Sequence, residues 1–161
     1  MISIDKVQLD EKQVLRNLMQ LYKYDFTEYD PEDLDLMGLY DYPYLDYYFV
    51  ESDRYAYFIR FNGVLAGFAL VRYAELELTK ETVLELVEFF VLKKYRREGI
   101  GSYAARDIVS KHSGKWKIGV ISSNVPALSF WRKIIHTKVG VSHEEIKENS
   151  WDGTILVFET K

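Results

Sequence analysis

Val83 to Leu92 reads VLELVEFFVL, a run almost unbroken in apolar and branched residues. Such a run suits a strand covered on both faces in the middle of a sheet. It leads into a basic turn, KKYRREGIGS, after which Ile100, Ala104, Ala105, Ile108 and Val109 recur at helical spacing with Arg106, Asp107, Ser110 and Lys111 on the other side. The pattern predicts a helix over 101–112 and a further strand over 115–122 (KWKIGVIS). Strand, glycine turn, helix and strand form one right-handed crossover unit. Any fold for this chain is built around that unit.

The flanking segments supply the other layers. Residues 2–9 alternate apolar and polar, and Asp10 then caps a helical pattern carried by Val14, Leu15, Leu18, Leu21 and Tyr22. Residues 54–61 and 64–73 are aromatic and branched, and Asn62-Gly63 between them suits a tight hairpin because both residues accept positive φ. A short helix is predicted over 125–134, and 139–147 with 154–160 form a closing pair of strands. The order β-α-(loop)-β-β-β-α-β-α-β-β gives an α/β fold, helices covering a mixed sheet. At 161 residues the chain suits one domain, 1–161, with a single core.

Charge is distributed unevenly. From Tyr24 to Asp53 there are ten acidic residues, seven tyrosines and no Lys or Arg. From Lys93 to Lys117 eight basic residues face Glu98 and Asp107 alone. One region suits a cation and the other an anion. The absence of cysteine excludes disulfides and an acyl-cysteine intermediate. His112, His136 and His143 have no ligand-type spacing, so no metal is expected. The net charge of −4 and the lack of a continuous basic stripe disfavour nucleic acid. No stretch is apolar for long enough to suggest a membrane span or a leader, so a cytoplasmic location is expected.

Arg96-x-x-Gly99-x-Gly101 lies between a buried strand and a helix N-terminus, where free backbone N–H groups and the helix dipole favour an anion. The glycines either admit a phosphate to the backbone or merely let a strand turn into a helix. A Walker loop fails for want of a lysine after Gly101. Gly99-x-Gly101-x-x-Ala104 matches a Rossmann turn, but Ser122 and Ser123 stand where the ribose-binding acid is required.

Val91-x-x-x-Tyr95-Arg96-x-x-Gly99-Ile100-Gly101 resembles the pyrophosphate-binding signature Q/R-x-x-G-x-G/A of the GNAT superfamily of N-acetyltransferases. Asn124-x-x-Ala127-x-x-Phe130-Trp131-x-Lys133 is similar to that family's next motif, N-x-x-A-x-x-F-Y-x-K, at the expected separation. The resemblance spans nearly the whole chain. It implies a mostly antiparallel sheet of about six or seven strands, flanked by about four helices and splayed in the middle to admit CoA. It also implies acetyl-CoA as co-substrate, with the pantetheine arm pairing with backbone around Phe89 to Val91. Amides from Arg97 to Ser102 would hold the pyrophosphate. Arg96, Arg97, Gly99, Gly101, Ser102 and Asn124 complete the implied cofactor site, Asn124 being equally suited to cap the following helix. Lys111, Lys115 and Lys117 either meet the ribose phosphate or form a solvated face.

Transfer to an amine requires a base. Simple strand alternation places Leu84, Leu86, Glu88, Phe90 and Leu92 on one face, with Glu88 the lone carboxylate and Glu85 opposite. Burial would raise its pKa into a useful range, which makes Glu88 the candidate catalytic base, against the alternative of a structural, ion-paired glutamate. The family's acid tyrosine is replaced by Trp131, whose indole N–H is no acid near neutral pH. The expected acceptor is a small-molecule or peptide amine, cationic because of the acidic stretch. A non-catalytic acyl-CoA-binding module is the alternative, and a homodimer is left open.

Overall fold

The computed structural model describes residues 1–161 and contains a seven-stranded sheet in the order β1-β2-β3-β4-β5-β7-β6. The strands are β1 (Ile2–Lys6), β2 (Arg54–Phe61), β3 (Val64–Glu75), β4 (Thr82–Val91), β5 (Lys115–Ile121), β6 (His143–Ile146) and β7 (Gly153–Glu159). Four α-helices are α1 (Lys12–Phe26), α2 (Tyr47–Val50), α3 (Ile100–Ser110) and α4 (Val125–Ile134). Every neighbouring pair is antiparallel except β4 with β5. The order of elements is the expected one, with β4 central and the Asn62-Gly63 turn left-handed at both residues (φ 51° and 80°).

The sheet separates two apolar layers. On one face Leu15, Leu18 and Met19 of α1 pack with Tyr48, Phe58, Phe68, Leu70 and Phe90. On the other, Ala105, Ile108 and Val109 of α3 and Trp131 and Ile134 of α4 pack with Val71, Leu84, Leu86, Trp116 and Leu156. β4 contributes to both layers, the physical reason for its unbroken apolar sequence.

The acidic stretch after α1, a loop in the expected order, holds one short helix, α2. Two expectations shift. The stretch 139–147 begins not as strand but as the end of a π-helical turn, Ile135–Val139, that closes on left-handed Gly140, so β6 is only His143–Ile146. The second concerns β4. The β3–β4 register slips at Leu70/Val71, with Leu70 opposite Glu88 and Val71 opposite Leu86, so Val87 is the extra residue of a bulge. The expected five-residue row is therefore split. Leu84 and Leu86 face α3 and α4, whereas Phe90 and the partly buried Val87 and Leu92 face the α1 layer. Glu85 and Glu88 consequently lie near each other, close enough for Glu85 to raise the pKa of Glu88, not on opposite faces.

Gly67 of β3 marks how tightly β4 is held at its far end, because an added Cβ would lie 1.9 Å from the Phe90 carbonyl oxygen. Backbone cannot yield as a flexible side chain can. Gly67→Ala is expected to cost at least about 2 kcal/mol, read as a lowered denaturation midpoint, whereas Gly63→Ala, open on all sides, loses only its turn preference.

Candidate active site

β4 and β5 pair only at Leu84–Trp116 and Glu85–Lys117 and then diverge. The gap is a cleft of about 700 Å³ lined by Leu86–Val91 of β4, Ile118–Ile121 of β5, the glycine turn, α4 and the end of α1. The Leu92 amide donates to Ala66 of β3. By strand alternation the backbone groups of Val91 and Phe89 point the other way, into the gap. The Val91 carbonyl is taken by Arg96 Nε at 2.8 Å. The Phe89 side chain packs edge-on against Trp131, with ring centroids 5.1 Å apart.

The glycine turn closes one end. Arg97 and Gly99 are both left-handed (φ 66° and 78°), and α3 starts at once, with no side-chain cap on its first turn. Tyr103 donates the first helical bond, to the Gly99 carbonyl at 3.1 Å. The amides of Ile100, Gly101 and Ser102 before it have no helical acceptor and present an anion site at the positive end of the helix dipole. Gly99 is required by its φ. Gly101 is not, and an added Cβ there would make ordinary contacts with Phe130 and Val91.

Glu88, Phe89, Val91, Arg96, Arg97, Gly99, Gly101, Ser102 and Asn124 all line this one cleft. Their local duties differ. Arg96 is a brace: besides Val91 it reaches Asp25 at 2.7 Å, tying α1 to the turn, and its charge is spent there. Arg97 has no carboxylate partner and is the cation left facing the opening. Asn124 caps α4, accepting from Ala127 N at 3.2 Å, with Pro126 inside the first turn. Lys111 pairs with Asp107 and Lys115 with Glu81, while buried Lys117 bonds the Glu75 carbonyl and Glu148. None of these three lysines lines the cleft.

Glu88 is half-buried, on the wall of the cleft, and has no ion-pair partner. Tyr22 Oη donates to its carboxylate at 2.9 Å, and the Tyr42 hydroxyl lies close enough to act on it as a second donor. Burial pushes the carboxyl above the ordinary carboxylate range, and the Tyr22 and Tyr42 hydroxyls and the charge of Lys23 only partly oppose it. Burial likewise raises Tyr22 and Tyr42, with Glu88 adding to both. Beyond them Glu85 is held by Arg72 at 2.6 Å.

Of the ten acids between Tyr24 and Asp53, only Asp25, Asp30 and Glu32 line the cleft. The stretch lacks its own cations, but four of its acids are paired from elsewhere: Asp46 by Lys12 and Arg16, Glu51 by Arg54, Glu32 by Lys23 and Asp25 by Arg96. Asp30 is without such a partner. Sequence reasoning missed Tyr22, Phe26 and Trp151 as lining residues. Tyr22 sat in the apolar pattern of α1 and read as core. Trp151 lies in the β6–β7 connection with its indole against Gly119, a contact with no local signature.

A family model described as the acetyltransferase (GNAT) family matches residues 15–136. The chain belongs to the GNAT acetyltransferase family. An acetyltransferase from Thermus thermophilus has a similar structure, with 14% identity, TM-score 0.71 and coverage of 99% of this chain and 97% of that one. PaiA N-acetyltransferase from Thermoplasma acidophilum, solved in complex with coenzyme A, shares 16% identity at TM-score 0.61 over 99% of each chain. An aminoglycoside acetyltransferase from an uncultured soil metagenomic sample, in complex with sisomicin, shares 14% identity at TM-score 0.61, covering 91% of this chain and 93% of that one. A search of curated proteins by sequence gives no match. These likenesses establish the GNAT fold: a mixed, mostly antiparallel sheet opened between two parallel neighbours. No helix is long and apolar enough to cross a membrane.

The raised pKa of Glu88 has a consequence for stability. A carboxyl that holds its proton to higher pH in the folded state stabilises below the unfolded value and loses that contribution as pH rises through the folded one. Glu88→Gln is therefore expected to raise the melting temperature at pH 8 and to lose that advantage toward pH 4. A melting temperature lowered at pH 8 would identify an ion-paired structural glutamate. Asn124→Ala is expected to cost about 1 kcal/mol through the lost cap, measured by denaturant unfolding.

Proposed function

We propose that this protein is an acetyl-CoA-dependent N-acetyltransferase that moves the acetyl group directly to a cationic amine, with Glu88 as general base. The observation that carries this reading is Glu88 itself, a half-buried carboxylate facing the cleft beside two phenols and in no ion pair. A structural glutamate on an otherwise apolar strand would be expected to have an arginine or lysine partner.

The amides of Ile100 to Ser102 and the side chain of Arg97 suit a pyrophosphate. The free Val91 amide and the backbone of Phe89 suit a pantetheine arm laid along β4 as a partial strand. That arm would satisfy polar groups that the sheet leaves unpaired. Its length would bring the thioester toward Glu88 at the point where β4 and β5 part.

The chemistry then balances without a covalent enzyme intermediate. An amine that arrives protonated gives one proton to Glu88, and its lone pair attacks the thioester carbonyl. Collapse breaks the C–S bond and expels CoA thiolate, whose ordinary thiol pKa of about 8.5 lets it leave without a strong acid; the thiolate takes the second proton from the cationic nitrogen, leaving amide and CoA thiol, and Glu88 returns its proton to water. Trp131, buried in the α4 core, therefore need not replace the family's tyrosine. Preference for a cation is supported by Asp30, the acid at the cleft without an ion partner, together with the ring faces of Tyr22, Phe26 and Tyr29.

Trp131 favours one other reading, a module that binds acyl-CoA without turnover. Thiol release from acetyl-CoA across a panel of amines separates the two. The expected result is turnover with kcat/KM at least about tenfold higher for cationic than for neutral amines of similar size. Glu88→Gln is expected to lower kcat by about 100-fold or more at pH 7, while KM for acetyl-CoA stays within twofold. Saturable acetyl-CoA binding with no turnover on any amine would establish the module, and equal rates for neutral amines would remove the electrostatic reading.

A further inference from the structure

The Glu88 carboxylate is solvated by phenols from two separate parts of the chain. Tyr22 belongs to α1, where its ring packs at right angles to Phe68 and against Phe90, with centroids 5.6 and 5.4 Å away. Tyr42 belongs to the connection between α1 and α2, which has no regular structure near it. That connection is fixed two residues earlier. Gln20 Nε2 donates to the Tyr40 carbonyl at 2.7 Å, and the Tyr40 amide donates to Gln20 Oε1 at 2.8 Å. One side-chain amide thus pairs with the backbone N–H and C=O of one residue, as a neighbouring strand would.

The other titratable groups facing the carboxylate are committed. Lys23 of α1 is paired with Glu32 at 2.7 Å, and Glu85 of β4 with Arg72 of β3 at 2.6 Å. Tyr48 of α2, close enough to Glu88 to feel its charge, also feels Arg72 and Arg54. Tyr22 alone hydrogen-bonds the carboxylate at ordinary distance, with the Tyr42 hydroxyl beside it. An ionised carboxylate accepts at about four lone-pair sites, so two phenols leave room for a proton donor in the cleft.

Resting on the reading of Glu88 as the base, we propose that Tyr22 and Tyr42 are positioning residues that keep its carboxylate ionised and aimed at the acceptor amine, and that Gln20 acts through Tyr40 to hold Tyr42 there. The physical need is plain. Burial alone favours the neutral acid, which has no proton-accepting form to offer an ammonium, and hydrogen bonds to the charged form oppose that drift. The phenols remain donors throughout, since burial and the adjacent carboxylate both hold their protons on. The base is complete only when the α1–α2 connection is seated.

The test is the pH profile of kcat/KM for thiol release with the best amine, for the wild type, Tyr22→Phe, Tyr42→Phe, Gln20→Ala and Glu88→Gln. In each phenylalanine variant the acidic limb is expected to move upward by about one pH unit, with KM for acetyl-CoA within twofold of wild type. Gln20→Ala should show a smaller shift in the same direction and add nothing to Tyr42→Phe. Side-chain carboxyl carbon NMR of Glu88 in the unliganded proteins reads the same shift without turnover, and Gln20→Ala leaves both hydroxyls in place should a tyrosine variant fail to fold. Activity lowered equally at every pH, with the Glu88 titration unmoved, would overturn the proposal while leaving Glu88 as base. Wild-type activity and profile in Glu88→Gln would instead overturn the base reading.

Discussion

Much of this structure depends on a single parting of strands. β4 and β5 share one short stretch of parallel pairing and then separate, leaving backbone donors and acceptors along the cleft side of β4 without a strand to meet them. A central strand left unpaired on one side is unfavourable unless water or a ligand satisfies it. The fold holds the gap open with groups on both sides. Arg96 braces Val91 to α1, the bulge at Val87 turns Glu88 toward α1, and Trp131 fills the space behind Phe89. An extended, polar arm beside β4 is what such a gap accepts, and the glycine turn at its end presents three free amides to a phosphate.

The electrostatics follow from where compensation is supplied. Four of the ten carboxylates of the acidic stretch, Asp25, Glu32, Asp46 and Glu51, are paired with cations from α1, β2 or the glycine turn and tie the segment to the body. Among the acids that line the cleft, two have no cation partner. Asp30 lies at the cleft without a partner, and Glu88 lies within it among phenols. Their lack of a resident cation is the same physical fact that makes an ammonium a suitable guest.

How much could be read beforehand varied with the range of the interactions involved. The strand, turn and helix at the centre were legible because their signals are local: an apolar run, two glycines and a helical stripe. The nine residues expected at the site do line one cleft, since the crossover unit alone brings β4, the turn and the start of α4 together. Duties that depend on contacts far along the chain were not legible. Arg96 reads as an anion ligand until Asp25, seventy-one residues away, is seen beside it. Lys117 reads as surface charge until Glu148 is found buried against it. The face of Glu88 was inferred from strict alternation, and a bulge, invisible to a period of two, reversed its relation to Leu84, Leu86 and Glu85.

The sequence by itself thus determined the order of elements, the central strand and the anion-binding turn, because hydrophobic period and backbone freedom are properties of neighbouring residues. Tertiary structure alone decided what each charged or phenolic group does. Tyr22, Tyr42 and Glu88 are remote in sequence and acquire their shared role only when α1 and its following connection close over β4, since burial and hydrogen-bond partners are set by the packing of elements against one another.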